Sequence, residues 1–405
     1  MIERPDPANL QGLIEHGYTH RCSAQMLFQF ESRPAARAFI GALLDKVQSG
    51  KRWGANKPEW MLNISLTFTG LSMATNLSDA ELEVFPLPFT DGPDKRRPLH
   101  DSGASASKNW WNGSFRTADI HCIVHAYALE EKAYADMIAF VTAAAAKAGA
   151  RELFPLAGGK RLEQWFLPDK QIHFGYRDGL SDPRLAWPEI WPSDGQDTPT
   201  DTLNNFVIGY PSSHAMPGPV ETKDDPTSVA PARIAKDGSY LAFRVLAQDV
   251  AAFEKFLDEH APAAAEAIGK PVEHAREWLA AKLMGRWRNG SPLSVSPDAP
   301  SDVTRDVETF SFNGDNTGAK CPLSAHVRVS NPRDQPQEPA DAEIPRLIRR
   351  GLPYGPPPGK GDGERGLVGI FLCGSLLLQF EKLNTWFFEN NFSPLFPAGV
   401  KPQDA

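Results

Sequence analysis

The sequence predicts an α+β fold built from two βαββαβ units in tandem, the ferredoxin-like order, over residues 1–200 and 201–405. Two observations predict it. Stretches of apolar alternation and stretches of helical period succeed one another as β-α-β-β-α-β in the first half. After a Pro-rich connection, Ala186 to Thr202, the second half repeats that order as far as β-α-(insert)-β-β-α.

In the first half, Cys22 to Phe30 suits a strand, and Ser32 to Gln48 places Phe39, Ile40, Leu43, Leu44 and Val47 on one helical face. Leu62, Ile64, Leu66 and Phe68 alternate as a second strand, and Phe85 to Phe115, rich in Pro, Asp, Gly and Ser, reads as a long loop. Ile120, Cys122, Val124 and Ala126 form a third strand, Glu131 to Ala148 an alanine-rich helix, and Arg161 to Leu167 a fourth strand. In the second half, strands are expected at Phe206 to Tyr210, Tyr240 to Leu246, around His326, and at Leu367 to Leu372. Helices are expected at Ala247 to His260, Val272 to Met284 and Leu376 to Phe388. Past Phe392 little chain remains, so the last C-terminal strand of the second unit is expected to be missing.

The chain has 405 residues, of which 41% are hydrophobic and 10% aromatic, enough for sizeable cores. A formal net charge of −8 with no basic cluster argues against nucleic acid as a partner. Cys22, Cys122, Cys321 and Cys373 show no metal-type spacing and read as reduced, buried thiols. No charged-then-apolar leader is visible and the longest apolar run, Gly366 to Leu378, is too short to span a bilayer, so a cytoplasmic location away from membranes is expected.

Two stretches carry chemistry. His326, in C-P-L-S-A-H-V-R-V-S-N-P-R (Cys321 to Arg333), reads either as a hydrogen-bonded core histidine or as a metal ligand. Asp178 lies between Gly175 and Gly179 in G-Y-R-D-G, which reads either as a tight turn or as backbone laid close against a flat ligand with a carboxylate above it. His121 and His125 would stand about 13 Å apart on a strand and read as ordinary strand residues. Lys282 and Arg286 read as a solvated edge rather than a propionate clamp, and His173, a candidate to line a pocket loop, receives no role.

Together these stretches, followed by R-R-G-L-P-Y-G from Arg349 to Gly355, resemble in order the motifs of the dye-decolourising peroxidases, a haem enzyme family. K-L-M-G-R-W at Lys282 to Trp287 and Q-F-E followed by Trp386 add to the likeness. The resemblance implies haem b held mainly by the C-terminal unit, with His326 as the iron ligand and Asp178 and Arg349 as the catalytic pair on the opposite side. It also implies Gly175 and Gly179 against the cofactor, Arg333 as a propionate partner, and Ile370 in the wall where the family often carries Leu-x-Phe. The partners implied are hydrogen peroxide and an organic electron donor such as a dye or a phenol, with a ferryl iron and porphyrin radical between them. A homo-oligomer is compatible with the sequence. Tyr354 is a candidate to relay electrons to large donors at the surface. An aspartate, with an ordinary pKa of about 3.9, works as a base in acid where a histidine is already protonated, so an acidic optimum is expected. The alternatives are a haem-binding or haem-delivery protein with little turnover, and a non-haem module whose glycine loop is only a turn.

Overall fold

The computed structural model describes residues 5–396 except 52, 55, 184, 187–200, 213–217, 303–308, 341, 358 and 362. In the first half, strand β1 (Cys22–Phe30) is central, flanked on one side by β3 (Cys122–Ala128), which in turn pairs with β2 (Trp60–Leu66). The other edge of β1 is shared: β4 (Ala150–Leu153) covers Leu27 to Phe30 and β5 (Leu162–Trp165) covers Cys22 to Gln25. All these pairings are antiparallel. Helix α1 (Arg33–Leu43) starts where the Ser32 hydroxyl accepts from the Ala35 amide and Pro34 occupies the first turn. Helix α2 (Glu131–Ala148) stops at Gly149, which takes a left-handed conformation. Both cover one face of the sheet through Phe39, Leu43, Met137 and Val141, packed on Met26, Phe28, Cys122 and Val124. Each such buried side chain stabilises the fold by about 1.5–3 kcal/mol.

The sheet continues without a break into the second half. Tyr354 of β8 (Leu352–Tyr354) pairs with Gln164 of β5, and β9 (Gly366–Cys373) pairs with β8, with β6 (Tyr240–Ala247) and with the two-residue β7 (Ile348–Arg349). Among the described residues this makes one nine-stranded sheet, in the order β2-β3-β1-β5-β8-β9-β6, with β4 on β1 and β7 on β9. Helices α3 (Val250–Ile268) and α4 (Val272–Met284) pack on one another. Helix α5 (His326–Ser330) meets α6 (Lys382–Glu389), which continues a π-helical turn, Leu376–Glu381. Val329, Leu383 and Trp386 from these helices share a core cluster with Cys373, and Phe371 packs against it.

Several expectations change. His326 opens a short helix rather than lying in a strand: V-R-V alternates, but Arg328 is drawn into a buried polar cluster that a strand would not reach from this side. Phe206 to Tyr210 is turn rather than strand; Phe206, Val207 and Ile208 are buried as core without a strand partner, apart from bonds between Ile208 and residues 237–238. The second strand ends at Leu66, because Thr67 caps a short helix beginning at Phe68. The segment read as a loop from 85 to 115 contains several single helical turns. Helix α3 is longer than expected, since Asp249 caps it at Val250 and it runs through Pro262 to Ile268. No strand follows α6 among the described residues.

Candidate active site

The G-Y-R-D-G loop is fixed from behind by helices α3 and α4. The Gly175 amide donates to Ile172 O at 2.8 Å, the Arg177 amide to Arg288 O at 3.0 Å, and the Asp178 amide to Lys170 O at 2.9 Å. Arg288 is itself held by Glu254 of α3 at 3.0 Å and Glu277 of α4 at 3.3 Å. Gly175 has φ +83° and a Cβ there would lie 2.6 Å from Arg288 Nη1, so this glycine serves the loop's own anchoring. Gly179, at φ +73°, differs: nothing lies within 4 Å of where its Cβ would be. The loop is open on that side.

Strand β7 brings Arg349 to this loop. Its Nη1 donates to Asp178 Oδ1 at 3.1 Å, and its Nε lies 3.7 Å from Asp182 Oδ1. The next residue, Arg350, donates to Asp182 Oδ2 at 2.9 Å and to Leu13 O at 2.9 Å. The Arg349 side chain is 37% accessible and that of Asp178 34%, so both are half-buried. Burial alone would lower the Arg349 pKa, but Asp178 and Asp182 more than offset it and the net shift is upward. For Arg350 burial prevails over Asp182, and its pKa is lowered.

Arg349 stands opposite Phe371 in the β7–β9 register, so both side chains leave the same face of the sheet. That is the face toward α5 and α6, where Phe371 joins the cluster of Val329, Leu383 and Trp386. His326, half-buried at the start of α5, stacks its ring on Phe387 of α6 at 5.2 Å. Thus the structure brings Asp178 and Arg349 into contact, and places His326 on a separate element facing the same side of β9. Ile370 does not share that side. It is fully buried on the opposite face with Leu27, Tyr127 and Val368, so the wall residues contributed by β9 are Gly369 and Phe371.

Sequence reasoning missed the residue that positions His326. Arg328, fully buried, donates to Asp315 Oδ2 (3.0 Å), Asp315 O (2.8 Å), Cys321 O (2.6 Å) and Gln335 Oε1 (2.6 Å), and lies over the Phe312 ring. The same Asp315 accepts from the Lys320 and Cys321 amides, so the segment leading into α5 is closed around one ion pair. An arginine two residues after the histidine was the available signal. Arg333, with φ +54°, rests its guanidinium 3.9 Å from the centre of the Phe310 ring.

Arg286 is not a solvated edge: it is 5% exposed and donates to Gly290 O and Ser181 Oγ. Half-buried Lys282 donates to the carbonyls of Ala319 and Lys320, because the chain before Cys321 folds back over α4. Tyr354 is not at the surface either, being 1% exposed inside the sheet with its hydroxyl on Glu364. His173 is buried and its Nε2 is 2.8 Å from Tyr354 O. His125 bonds Gln25 and Ser65, and His121 Nδ1 accepts from the Phe30 amide, both within the sheet region. The four cysteines are free and buried; burial pushes Cys321 and Cys373 up to about 12.

Comparison with known proteins points one way. No family model matches the chain. A curated dye-decolorizing peroxidase from Exidia glandulosa is 27% identical over 378 residues, which is 86% of this chain and 66% of that protein. The multifunctional dye peroxidase DyP2 of an Amycolatopsis species is 31% identical over 242 residues, 57% of this chain and 48% of that protein. A solved ancestral D-type dye-decolorizing peroxidase superposes with a TM-score of 0.76 at 25% identity, over 98% of this chain and 87% of its own. The curated relatives and the solved structures that this chain is similar to are consistently dye-decolorizing peroxidases. It spans just under two thirds of the Exidia glandulosa protein and about a third of Peroxidase 2 of Mycetinis scorodonius. Another dye-decolorizing peroxidase, solved in complex with 2,6-dimethoxyphenol, shares the fold at a TM-score of 0.77 and 22% identity. Among the described residues no helix is long and apolar enough to cross a membrane.

Proposed function

We propose that this protein is a haem-dependent peroxidase that reduces hydrogen peroxide and oxidises organic donors of the dye and phenol class. The observation that carries the reading is the Asp178–Arg349 pair at 3.1 Å, both members about one-third accessible. The residues fit a haem: a half-buried imidazole on α5, an open side at Gly179, and a half-buried carboxylate–guanidinium pair. His326 would be the iron ligand and Arg333 would be the cation for a propionate. The haem, when bound, supplies the redox chemistry and the docking point for peroxide.

The chain's own residues supply proton control. Asp178, hydrogen-bonded to Arg349, is placed to move a proton from one peroxide oxygen to the other. Arg349 directs its donors at the negative charge that develops on the leaving oxygen. Gly369 and Phe371 form the apolar wall and limit water. An aspartate in this role stays a usable base in acid, and the activity is expected to peak below neutrality. The solved relative in complex with 2,6-dimethoxyphenol makes a methoxyphenol the first donor to try.

The test is the visible spectrum of the haemin-reconstituted protein beside H326A and D178N, before and after one equivalent of peroxide. The expected result is a histidine-type spectrum absent in H326A, and a peroxide reaction slowed by about 10²–10⁴-fold in D178N. Haem binding without any peroxide reaction would move the protein to a haem carrier.

A further inference from the structure

We propose that Asp182 is a positioning residue of this site: it shares Arg349 with Asp178 and keeps that guanidinium in place while Asp178 carries a proton. The proposal rests on the peroxidase reading above. Four charged side chains alternate in sign at the site: Asp178, Arg349, Asp182 and Arg350. Asp178 and Asp182 approach different nitrogens of Arg349, Nη1 and Nε, so they need not compete for one donor. Arg350 is 8% exposed, donates to Leu13 O and lies near 3.3 Å from Ile14 O, which ties Asp182 to a fixed part of the molecule. Asp182 is thus the anchored carboxylate of the two, whereas Asp178 is the one at the open side of the glycine loop.

The charge logic follows. When Asp178 takes a proton it ceases to be a counterion, and a buried guanidinium left without one either moves or loses stability. Asp182 removes that penalty, because its charge stays beside Nε throughout. Among the described residues, the charged groups paired with Asp182 are Arg349 and Arg350 from the β7 segment. Arg286 bonds Ser181, and Tyr18 and Tyr127 lie behind Arg350. Arg350 and Arg349 are the cations in direct reach, so Asp182 works as the charged partner of an arginine pair.

The test compares wild type, D182N and D182E in two measurements. The first is the rate of the peroxide reaction of the haem-loaded protein against pH. D182N is expected to slow it about tenfold and to move the acidic limb of the profile to lower pH, because Asp178 then faces Arg349 without a second carboxylate. D182E, which keeps the charge, restores both. A rate lowered alike at every pH overturns the proposal, since that is what loss of a merely structural contact gives. The second measurement is hydrogen exchange of the Arg349 Nε–H in the haem-free protein by NMR as pH is lowered. Protection that persists through the protonation of Asp178 in wild type, and is lost there in D182N, supports it; equal behaviour overturns it. If wild type itself does not react with peroxide, the peroxidase reading fails while the exchange experiment still decides the role of Asp182. If D182N does not fold, wild-type protection lost in step with Asp178 protonation overturns the proposal by itself.

Discussion

At the scale of single residues, the site depends on two ion pairs with different duties. Asp178–Arg349 is a third accessible, whereas Arg328–Asp315 is closed to solvent and holds the entry into α5. A buried pair that loses one member leaves the other charge without compensation, which costs about 3–5 kcal/mol. R328M removes the guanidinium but keeps length and apolar bulk, so Asp315 is left with the Lys320 and Cys321 amides alone. We expect R328M to lose that much stability in urea unfolding and to retain haem poorly while Asp178 and Arg349 are untouched. A loss below ~1 kcal/mol would show that the backbone of 315–321 holds α5 without the ion pair. Asp178 and Arg349 were legible because they sit in short, glycine-marked motifs. Asp182, Asp315 and Arg328 were not, since ordinary charged residues acquire their meaning only from partners distant in sequence, 168 positions for Asp182 and Arg350.

At the scale of elements, the two glycines of the loop separate anchoring from access. Gly175 has both a left-handed conformation and a neighbour, Arg288 Nη1, 2.6 Å from its Cβ position; Gly179 has the conformation alone. A left-handed alanine costs about 1 kcal/mol in strain. G179A should cost about that much. G175A must also displace Arg288 from Glu254 and Glu277, so we expect a loss of ~2 kcal/mol or more and, because Arg288 O holds the Arg177 amide, a slower peroxide reaction from a shifted Asp178. Equal stabilities of the two variants would mean that Arg288 does not anchor the loop. The long strands and the helices on them were readable from alternation and period, as for β1, β3, β6, β9, α2 and α4. Strands β4, β7 and β8 were not, having four, two and three residues, too few for a period to show. The helix carrying His326 is five residues long and held by Arg328 rather than by its own pattern.

At the scale of the whole molecule, a buried polar chain links the two halves of the sheet. Ser65 Oγ lies 2.9 Å from His125 Nε2, His125 Nδ1 lies 2.6 Å from Gln25 Oε1, Gln25 Nε2 donates to Gln164 Oε1 at 2.7 Å, and Gln164 Nε2 donates to Leu352 O at 2.7 Å. The bonds run from β2 through β3, β1 and β5 to β8. A neutral imidazole with its proton on Nδ1 donates to Gln25 and accepts from Ser65, so every link is satisfied in one direction. Burial lowers the His125 pKa to about 3, well below its ordinary value. Between that value and about 6.5 the unfolded chain binds a proton that the folded chain does not, so stability falls as pH falls across this window, by an amount on the order of several kcal/mol. This opposes the proposed chemistry, in which an aspartate base would favour acidic working conditions. H125Q keeps a donor and an acceptor but cannot be charged. We expect it to cost about 1 kcal/mol at neutral pH, from imperfect hydrogen bonds, and to flatten the fall in urea stability on acidification. His20, whose pKa burial lowers to about 4, leaves a residual slope in both proteins, so the difference between them isolates His125. If wild type and H125Q lose stability in parallel, His125 is not the group that limits the fold in acid. If the slope flattens, H125Q should also hold its peroxidase rate to lower pH than wild type, with Asp178 and Arg349 unchanged.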